Sequence, residues 1–579
     1  MKTFRKNPRS RRAGYSLVTV MAIGSVSIGL YASVAKWASV SATLNERNNT
    51  YVSSLAAAEG ATEQVLAYMA RDFANQSYNP ANLAAYQGLV PTNDWAVKYQ
   101  FSDNEGTAHQ TYVASSSTMV VTNLDSQYAG LYGLVYSATL RSSARPIGST
   151  FNIPAAVEQD FQLASIPIFQ FAIFYSMDLE INPGARMKVT GKVHSNANLY
   201  CAPVVGLEFQ DTVGCVGRYY DTRNSNDPLY GSSKVEPVFD NTNSPTPFTS
   251  SLALPIGTNN SPSAVRSILE VPPSGEDPNS LVGQQRFYNK ADLVITITST
   301  NTVVQAGEWN RFQTLTPDLG SGTNATYSFI TTNASFYDAR EQKNTVTTDL
   351  DVGALTNWMA NAGASINTNL KLVSGHKVNS VYINDTRAVS GKLTAVRVKD
   401  ARYLPADGLT VATSEPLYVQ GHFNAPSTTV GSTNTSATAP ASLLGDSITV
   451  LSGNWSDANS SKGLSQRVAL DTSVNAAFLA GVVQTTNSVG TKHYSGGVEN
   501  FPRFLEDWSG KALTYNGSMV VMFPSKYATS WWIDPGTYYN PPNRDWAFDR
   551  NFLNVNRLPP GTPQVRKVIR SQWSSIASK

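Results

Sequence analysis

Between Pro8 and Pro80 the chain contains no proline, and from Ala13 to Ala35 it carries no charge. A backbone free of that helix breaker, with a charge-free run of this length, has few ways to fold. At about 1.5 Å of rise per residue the uncharged run makes a helix roughly 34 Å long, enough to cross a bilayer core. Past it, Tyr51, Leu55, Ala58, Thr62, Leu66, Met69 and Phe73 recur at steps of three and four, leaving Asn45, Glu46, Arg47, Gln64 and Arg71 mostly off that stripe. One helix is therefore expected over 15–75, apolar all round in its first half and two-faced in its second.

Charge placement orients this rod. Lys2, Arg5, Lys6, Arg9, Arg11 and Arg12 precede the apolar run, Lys36 follows it, and no acid occurs before Glu46. The positive-inside rule keeps such an N-terminus in the cytoplasm and sends the body outward. Those six cations account for the formal charge of +3; the remainder has fewer basic residues than its 41 acids, which argues against a nucleic-acid surface. A cleaved secretory signal is the first rival reading, with Val40-Ser41-Ala42 as its small-residue site, but the apolar run exceeds the usual length. Arg11-Arg12 invites a twin-arginine reading, yet Ala13-Gly14 follows where an apolar pair is wanted. A plain membrane anchor is the third alternative.

The stretch Gly14-Tyr15-Ser16-Leu17-Val18-Thr19 resembles the processing site of type IV pilins and pseudopilins. The resemblance implies cleavage after Gly14 by a prepilin peptidase and methylation of the new N-terminus at Tyr15. Family members usually carry glutamate at the fifth residue after the cut, where its carboxylate pairs with a neighbouring subunit's terminal ammonium. This chain has Thr19 there. That departure, together with Leu55-Ala56-Ala57-Ala58-Glu59-Gly60-Ala61-Thr62-Glu63, resembles PilX-type minor pilins and the K-type minor pseudopilins. Thr19 is thus the filament-packing position, and Glu59 and Glu63 lie one turn apart on a face otherwise read as solvated.

After Pro80 the register changes. "WAVKYQF", "TYVASSSTMVVTNL" and "GLYGLVYSATLRSS" alternate apolar and polar residues at strand lengths, and "AAVEQDFQLASIPIFQFAIFYS" ends in an apolar run that should be buried. The expected fold class is α+β, with a basic leader over 1–14, the rod over 15–75, a small antiparallel pilin-like sheet over 76–165, and a large mainly-β head over 166–579. Glycines 391, 421, 453, 481 and 517 fall about thirty residues apart, which favours a β-helix or solenoid head over a β-sandwich. Loops are expected over 224–280 and 425–442, a helix over 348–363 started by Asp349 or Asp351, and a C-terminal capping helix near 562–577 with Val565, Ile569, Trp573 and Ile576 on one face. Phrases such as "FQFAIFYSMDLEINPG" and "YSGGVENFPRFLEDWSG" resemble the large heads of long PilX-like proteins, which bring no established activity with them.

Chemistry is sparse. His109, His194, His376, His422 and His493 are scattered, with no zinc spacing, and neither a nucleophile elbow nor a phosphate loop is present. Asp349/Asp351 and Glu506/Asp507 are the carboxylate pairs that an enzyme acting on polysaccharide would need, but residues adjacent on one strand point apart. "NWSDANS" (454–460) offers oxygen ligands without an EF-hand spacing. Cys201 and Cys215 either close one short loop as a disulfide or stay reduced. Trp531, Trp532, Tyr538, Tyr539 and Trp546 sit among prolines, either as an aromatic contact for a sugar or protein ligand or as a buried end cap. No metal or cofactor is expected. The expected partners are the peptidase, other pilin-like subunits, the bacterial inner membrane and a surface carbohydrate or protein ligand. The head lies in the periplasm or outside the cell, in the latter case at a pilus tip, where adhesion or surface sensing is its expected role.

Overall fold

The computed structural model describes residues 15–75, 77–92, 94–124, 128, 130–254, 256, 260–307, 312–320, 325–361, 378–488, 491–533 and 536–579. The fold is mixed α and β, with one long N-terminal helix and a large body built from several sheets. The chain divides into two compact units. The first takes Met1–Thr118, Tyr136–Leu163 and Lys567–Lys579; the second takes Met119–Val135 and Ala164–Arg566. No single cut in sequence separates them, unlike the expected boundary at 165/166.

In the first unit the helix Tyr15–Ala74 runs for 60 residues without a break, about 90 Å of rod. Its buried positions are Ser54, Ala57, Ala58, Ala61, Thr62, Val65, Leu66, Met69 and Phe73. The stripe therefore begins at Ser54, whereas Tyr51 is exposed. Small residues let a sheet come close: Ala57, Ala58 and Ala61 pack with Phe101, Ala144 and Val157. The Ser54 hydroxyl donates both to Thr50 O (2.9 Å) and to Ile153 O (2.8 Å). Tyr99–Ser102 and Tyr112–Ser115 pair antiparallel with Tyr132–Pro146, in registers Tyr99↔Pro146 and Tyr112↔Arg141. Trp95 to Lys98, expected to extend the first of these strands, belong instead to a short helix, Asp94–Lys98.

The C-terminal capping helix is not there. Gln564–Ile576 is a strand at the edge of this sheet beside Ala155–Pro167. Val565, Ile569 and Trp573 are four apart, a spacing that puts them on one face of a strand as well as of a helix. The long neighbouring strand offers a ladder of backbone groups, and pairing with it settles the ambiguity.

Parallel ladders dominate the second unit. Ile173–Tyr175, Val193–Ser195 and Val213–Cys215 pair in parallel with Ile173 against Val193 and Val193 against Val213. Leu179–Ile181, Leu199–Cys201 and Tyr219–Tyr220 form a second ladder, Leu199 lying against both Leu179 and Tyr219. Met187–Thr190 and Leu207–Phe209 begin a third. These steps cover twenty residues, and the next one in the third ladder, from Phe209 to Phe239, covers thirty; equivalent side chains stack in rows, Tyr200 on Tyr220 and Phe209 on Phe239, with ring centroids 4.7 and 5.2 Å apart. The chain then leaves for the far end of the largest sheet at Leu293–Ile297. It returns strand by strand through Ser380–Asp385, Leu409–Thr413, Ala441–Gly445 and Ala477–Ala480 until Met519–Val521 docks on Ile173–Tyr175. The first parallel strand thus lies inside that sheet, with Val193–Ser195 on one side and Met519–Val521 on the other.

The thirty-residue glycine spacing does not mark one repeated position. Gly421 and Gly453 follow paired strands, Leu417–Gln420 and Ile448–Leu451, and the Cβ direction of Gly421 (φ +80°) points at the Gly453 Cα, 3.8 Å away. Gly481 and Gly517 belong to two other sheets, and Gly391 precedes its strand. Strand Lys343–Asp351 occupies the start of the helix expected over 348–363; the helix is Val352–Asn361, and residues 362–363 lie outside the described residues. Asp351 does start it, accepting from Ala354 N–H at 2.8 Å. Pro262–Ser267 forms a short helix within the expected 224–280 loop.

Candidate functional sites

Along the first half of the long helix no described residue is buried, from Tyr15 (83% exposed) through Trp37 (72%) to Thr50. Among the described residues this is one helix long and apolar enough to cross a membrane, with a mean hydropathy of 1.9 over its best window. Apolar surface on this scale needs a cover, and the described residues do not supply one. Its hydroxyls suit an apolar cover. Thr19 Oγ1 donates to Tyr15 O (2.6 Å), Ser25 to Met21 O (2.8 Å) and Ser33 to Gly29 O (2.8 Å). These three hydroxyls are satisfied on the preceding turn, so they need neither water nor a partner chain. Thr19 is therefore a neutral residue bonded within its own helix. Gly14 and the basic leader lie outside the described residues.

Further along the rod, Glu63 leaves the solvated face. Arg570 pairs with it, Nη2 to Oε2 at 2.6 Å, and Gln159 donates to its Oε1 at 3.1 Å. The Arg570 guanidinium holds the Glu63 carboxyl below its ordinary range.

A second candidate lies within the parallel ladders. A cavity of about 330 Å³ is lined by Tyr175, Asp178, Glu180, Arg340, Arg503 and the segment Gly481 to Thr485, among others. Glu180 sits between Leu179 and Ile181, and all three are buried. The two apolar side chains join the core, while Glu180 takes hydrogens from Thr485 Oγ1 (2.9 Å) and Ser495 Oγ (3.1 Å), both on Oε2. Burial pushes its carboxyl up to about 8, against the pull of those two hydroxyls. Glu499, whose Oε1 accepts from Asn182 N–H at 3.1 Å, is raised by burial to about 7. Arg503 is tied to Glu341 at 2.5 Å and to Ala528 O at 2.6 Å. Nothing in the sequence singled out this place. The available signal was an acid flanked by apolar residues in "DLEINPG", repeated twenty residues later as "NLYCAP".

The residues singled out from sequence lie elsewhere and do not converge. Tyr538, Tyr539 and Trp546 are 1–2% exposed and Trp532 is 9% exposed, with its Nε1 donating to Tyr539 Oη at 3.0 Å. Four of the five aromatics are thus core, which removes them as a ligand surface. Trp531 remains accessible, stacked on His493 at 3.6 Å. Cys201 and Cys215 are free thiols, both buried, and close no loop; burial raises both pKa values. Asp349 and Asp457 share Arg397. Glu506 accepts from Ser452 N–H and Oγ at 2.6 and 2.7 Å, and Asp507 from Ser509 and Asn540. These are structural partnerships. Asp457, the acid of "NWSDANS", is committed to Arg397 and to Trp455 Nε1 (2.8 Å), which occupies the oxygens a calcium ion would need.

No protein-family model matches this chain, and none of the curated proteins matches it. Among solved structures it is similar to the competence-associated pilin ComZ from Thermus thermophilus, at 11% sequence identity over 91% of this chain and 98% of that one, with a TM-score of 0.29. A TM-score that low carries no argument about fold or function.

Proposed function

We propose that this chain is a pilin-like filament subunit of the PilX-type minor class. In this reading it is cut after Gly14, held in the bacterial inner membrane by the first half of its helix, and assembled with other pilin-like subunits. The observation that carries it is the uninterrupted helix Tyr15–Ala74, bare and apolar at one end and clamped by small residues to an antiparallel sheet at the other. An anchor alone has no use for that continuity. A filament subunit uses the first half to bundle and the second to carry its body. With Thr19 in place of a carboxylate the subunit cannot neutralise a neighbour's terminal ammonium, which fits a place at the start or tip of a filament, where one neighbour is missing.

The second unit is then the displayed head, exposed for adhesion or surface sensing, and we read it as a β-solenoid. The twenty-residue parallel steps and the stacked aromatic rows support coils over a sandwich. No catalytic role is assigned to it. The test is the mass of the protein purified from membranes. The expected N-terminus is Tyr15, methylated, and Gly14→Arg should leave the chain uncut and out of filaments. A native chain starting elsewhere, or an uncut chain still displayed normally, reduces this protein to a tethered ectodomain.

A further inference from the structure

In the first unit, three contacts fix the level at which the rod meets its sheet. The Arg47 guanidinium lies over the Phe151 ring, 5.3 Å from its centroid. The Ser54 hydroxyl donates to Ile153 O, and Leu55 and Tyr99 pack on the cluster that holds Ala58. The loop 147–154 therefore lies at the end of the unit from which the bare half of the rod emerges. The short helix Asp94–Lys98 is beside that loop, Ile147 N–H donating to Lys98 O at 2.8 Å. Apolar side chains are left out of the fold here: Val97 is 77% exposed and Ile147 56%. The rod adds Tyr51, Leu44 and Val40, all exposed, which continue the stripe of Ser54 toward the N-terminus at steps of three and four. Four cations, Lys36, Arg47, Lys98 and Arg145, stand on the same segments against two acids, Glu46 and Asp94. None of the four is in an ion pair among the described residues.

We propose that this end of the unit rests on an anionic bilayer surface, with Val97 and Ile147 among the lipid headgroups beside the rod. The inference rests on the membrane reading of the helix and is independent of cleavage after Gly14. Length supports it. From Tyr15 to Leu44 the rod carries a single charge, Lys36, and measures about 45 Å, the thickness of a bilayer with its headgroups. Arg47, about one turn further on, then stands at the headgroups, and Phe151 stands there with it. Lys36 is on the same face of the rod about three turns deeper, and its stem is long enough to lift the ammonium toward the phosphates. Trp37 beside it has the amphipathic ring that favours this depth. Charge decides between lipid and a second rod as the cover. A neighbouring copy would bring its own Lys36 and Arg47 against four unpaired cations, whereas anionic headgroups neutralise them.

The test uses the full chain in nanodiscs of phosphatidylcholine mixed with phosphatidylglycerol. A nitroxide is attached, one site at a time, to Val97→Cys, Ile147→Cys, Val26→Cys on the apolar half and Asn75→Cys at the far end of the rod. Cys201 and Cys215 are buried, and the unsubstituted chain serves as the blank. Collisions of each label with oxygen, which concentrates in lipid, and with a water-soluble nickel chelate report its depth. The labels at 97 and 147 are expected to shift from nickel toward oxygen relative to the label at 75, without reaching the value at 26. The shift should shrink in discs of phosphatidylcholine alone, and in the mixed discs when Lys98→Glu is combined with Arg145→Glu. The proposal is overturned if the labels at 97 and 147 match the label at 75 while the label at 26 stays in lipid, a result that leaves the membrane span intact. It is equally overturned if the shift is indifferent to lipid charge, or if both collisions are suppressed, because protein then covers the patch. A label at 26 that reports water removes the membrane reading itself, and this inference with it.

Discussion

Arg397 is the clearest case of a side chain whose role comes from what lies across from it. Its Nε and Nη2 reach Asp349 at 3.0 and 2.6 Å, and Nη1 and Nη2 reach Asp457 at 2.6 and 3.0 Å. Arg397 and Asp349 are 5% and 1% exposed. Removing one partner of a buried pair costs about 3–5 kcal/mol where the other is left unpaired. Asp349→Ala leaves Arg397 with the partly exposed Asp457 alone, so it is expected to lower the denaturant midpoint of the second unit by less than that cost implies. Asp457→Ala, at the more exposed carboxylate, should cost less. Equal small effects would show that the triad contributes little. Both aspartates stood out in the sequence, one in a carboxylate pair and one in a ligand-rich loop. Their arginine is 48 and 60 residues away. A local pattern identifies a carboxylate but not its partner, so the residue type was legible and the role was not.

Elements were legible where one periodicity had no competitor. The long helix is fixed by the absence of proline and a stripe at steps of three and four, and the structure moves only the stripe's beginning, from Tyr51 to Ser54. The last strand was lost because Val565, Ile569 and Trp573 satisfy two periodicities at once, and the deciding ladder is a strand some four hundred residues earlier in the chain. The twenty-residue steps were hidden by their small number. The ladders end at Val213–Cys215, Tyr219–Tyr220 and, after a step of thirty, Val238–Phe239, so no long run of equal spacing exists. The helix stripe yields a prediction at this scale. Ala61 is fully buried, against side chains that include Phe101, Ala144 and Val157. Ala61→Leu overpacks that contact, with an expected loss of about 1–3 kcal/mol and faster amide exchange over 54–73. Ala32→Leu, on the bare apolar half of the same helix, should leave both unchanged. Equal behaviour of the two variants would mean that the stripe is not the clamp.

For the whole molecule, the response to pH follows from how its acids are buried rather than from its net charge. Burial raises Glu180 to about 8 and Glu415, Glu499 and Glu506 to about 7, from an ordinary value of 4.5. Asp338 and Asp549 are raised for the same reason. In the folded chain these groups hold protons that the unfolded chain has released, so each loses stability as pH rises from about 4.5 to its folded value. Glu63, held down by Arg570, and Glu341, held down by Arg503 and Arg340 against its own burial, work the other way. Their contribution is complete above the ordinary carboxylate range and is lost only as pH falls through and below it. Stability should therefore be greatest near about pH 5 and decline toward pH 8. Thermal melts of the full chain should show a higher Tm at pH 5 than at pH 8. Glu180→Gln, neutral at every pH, should flatten the part of that decline between pH 7 and 8. A Tm constant from pH 5 to 8, or a slope that Glu180→Gln leaves untouched, would mean that these carboxyls reach water.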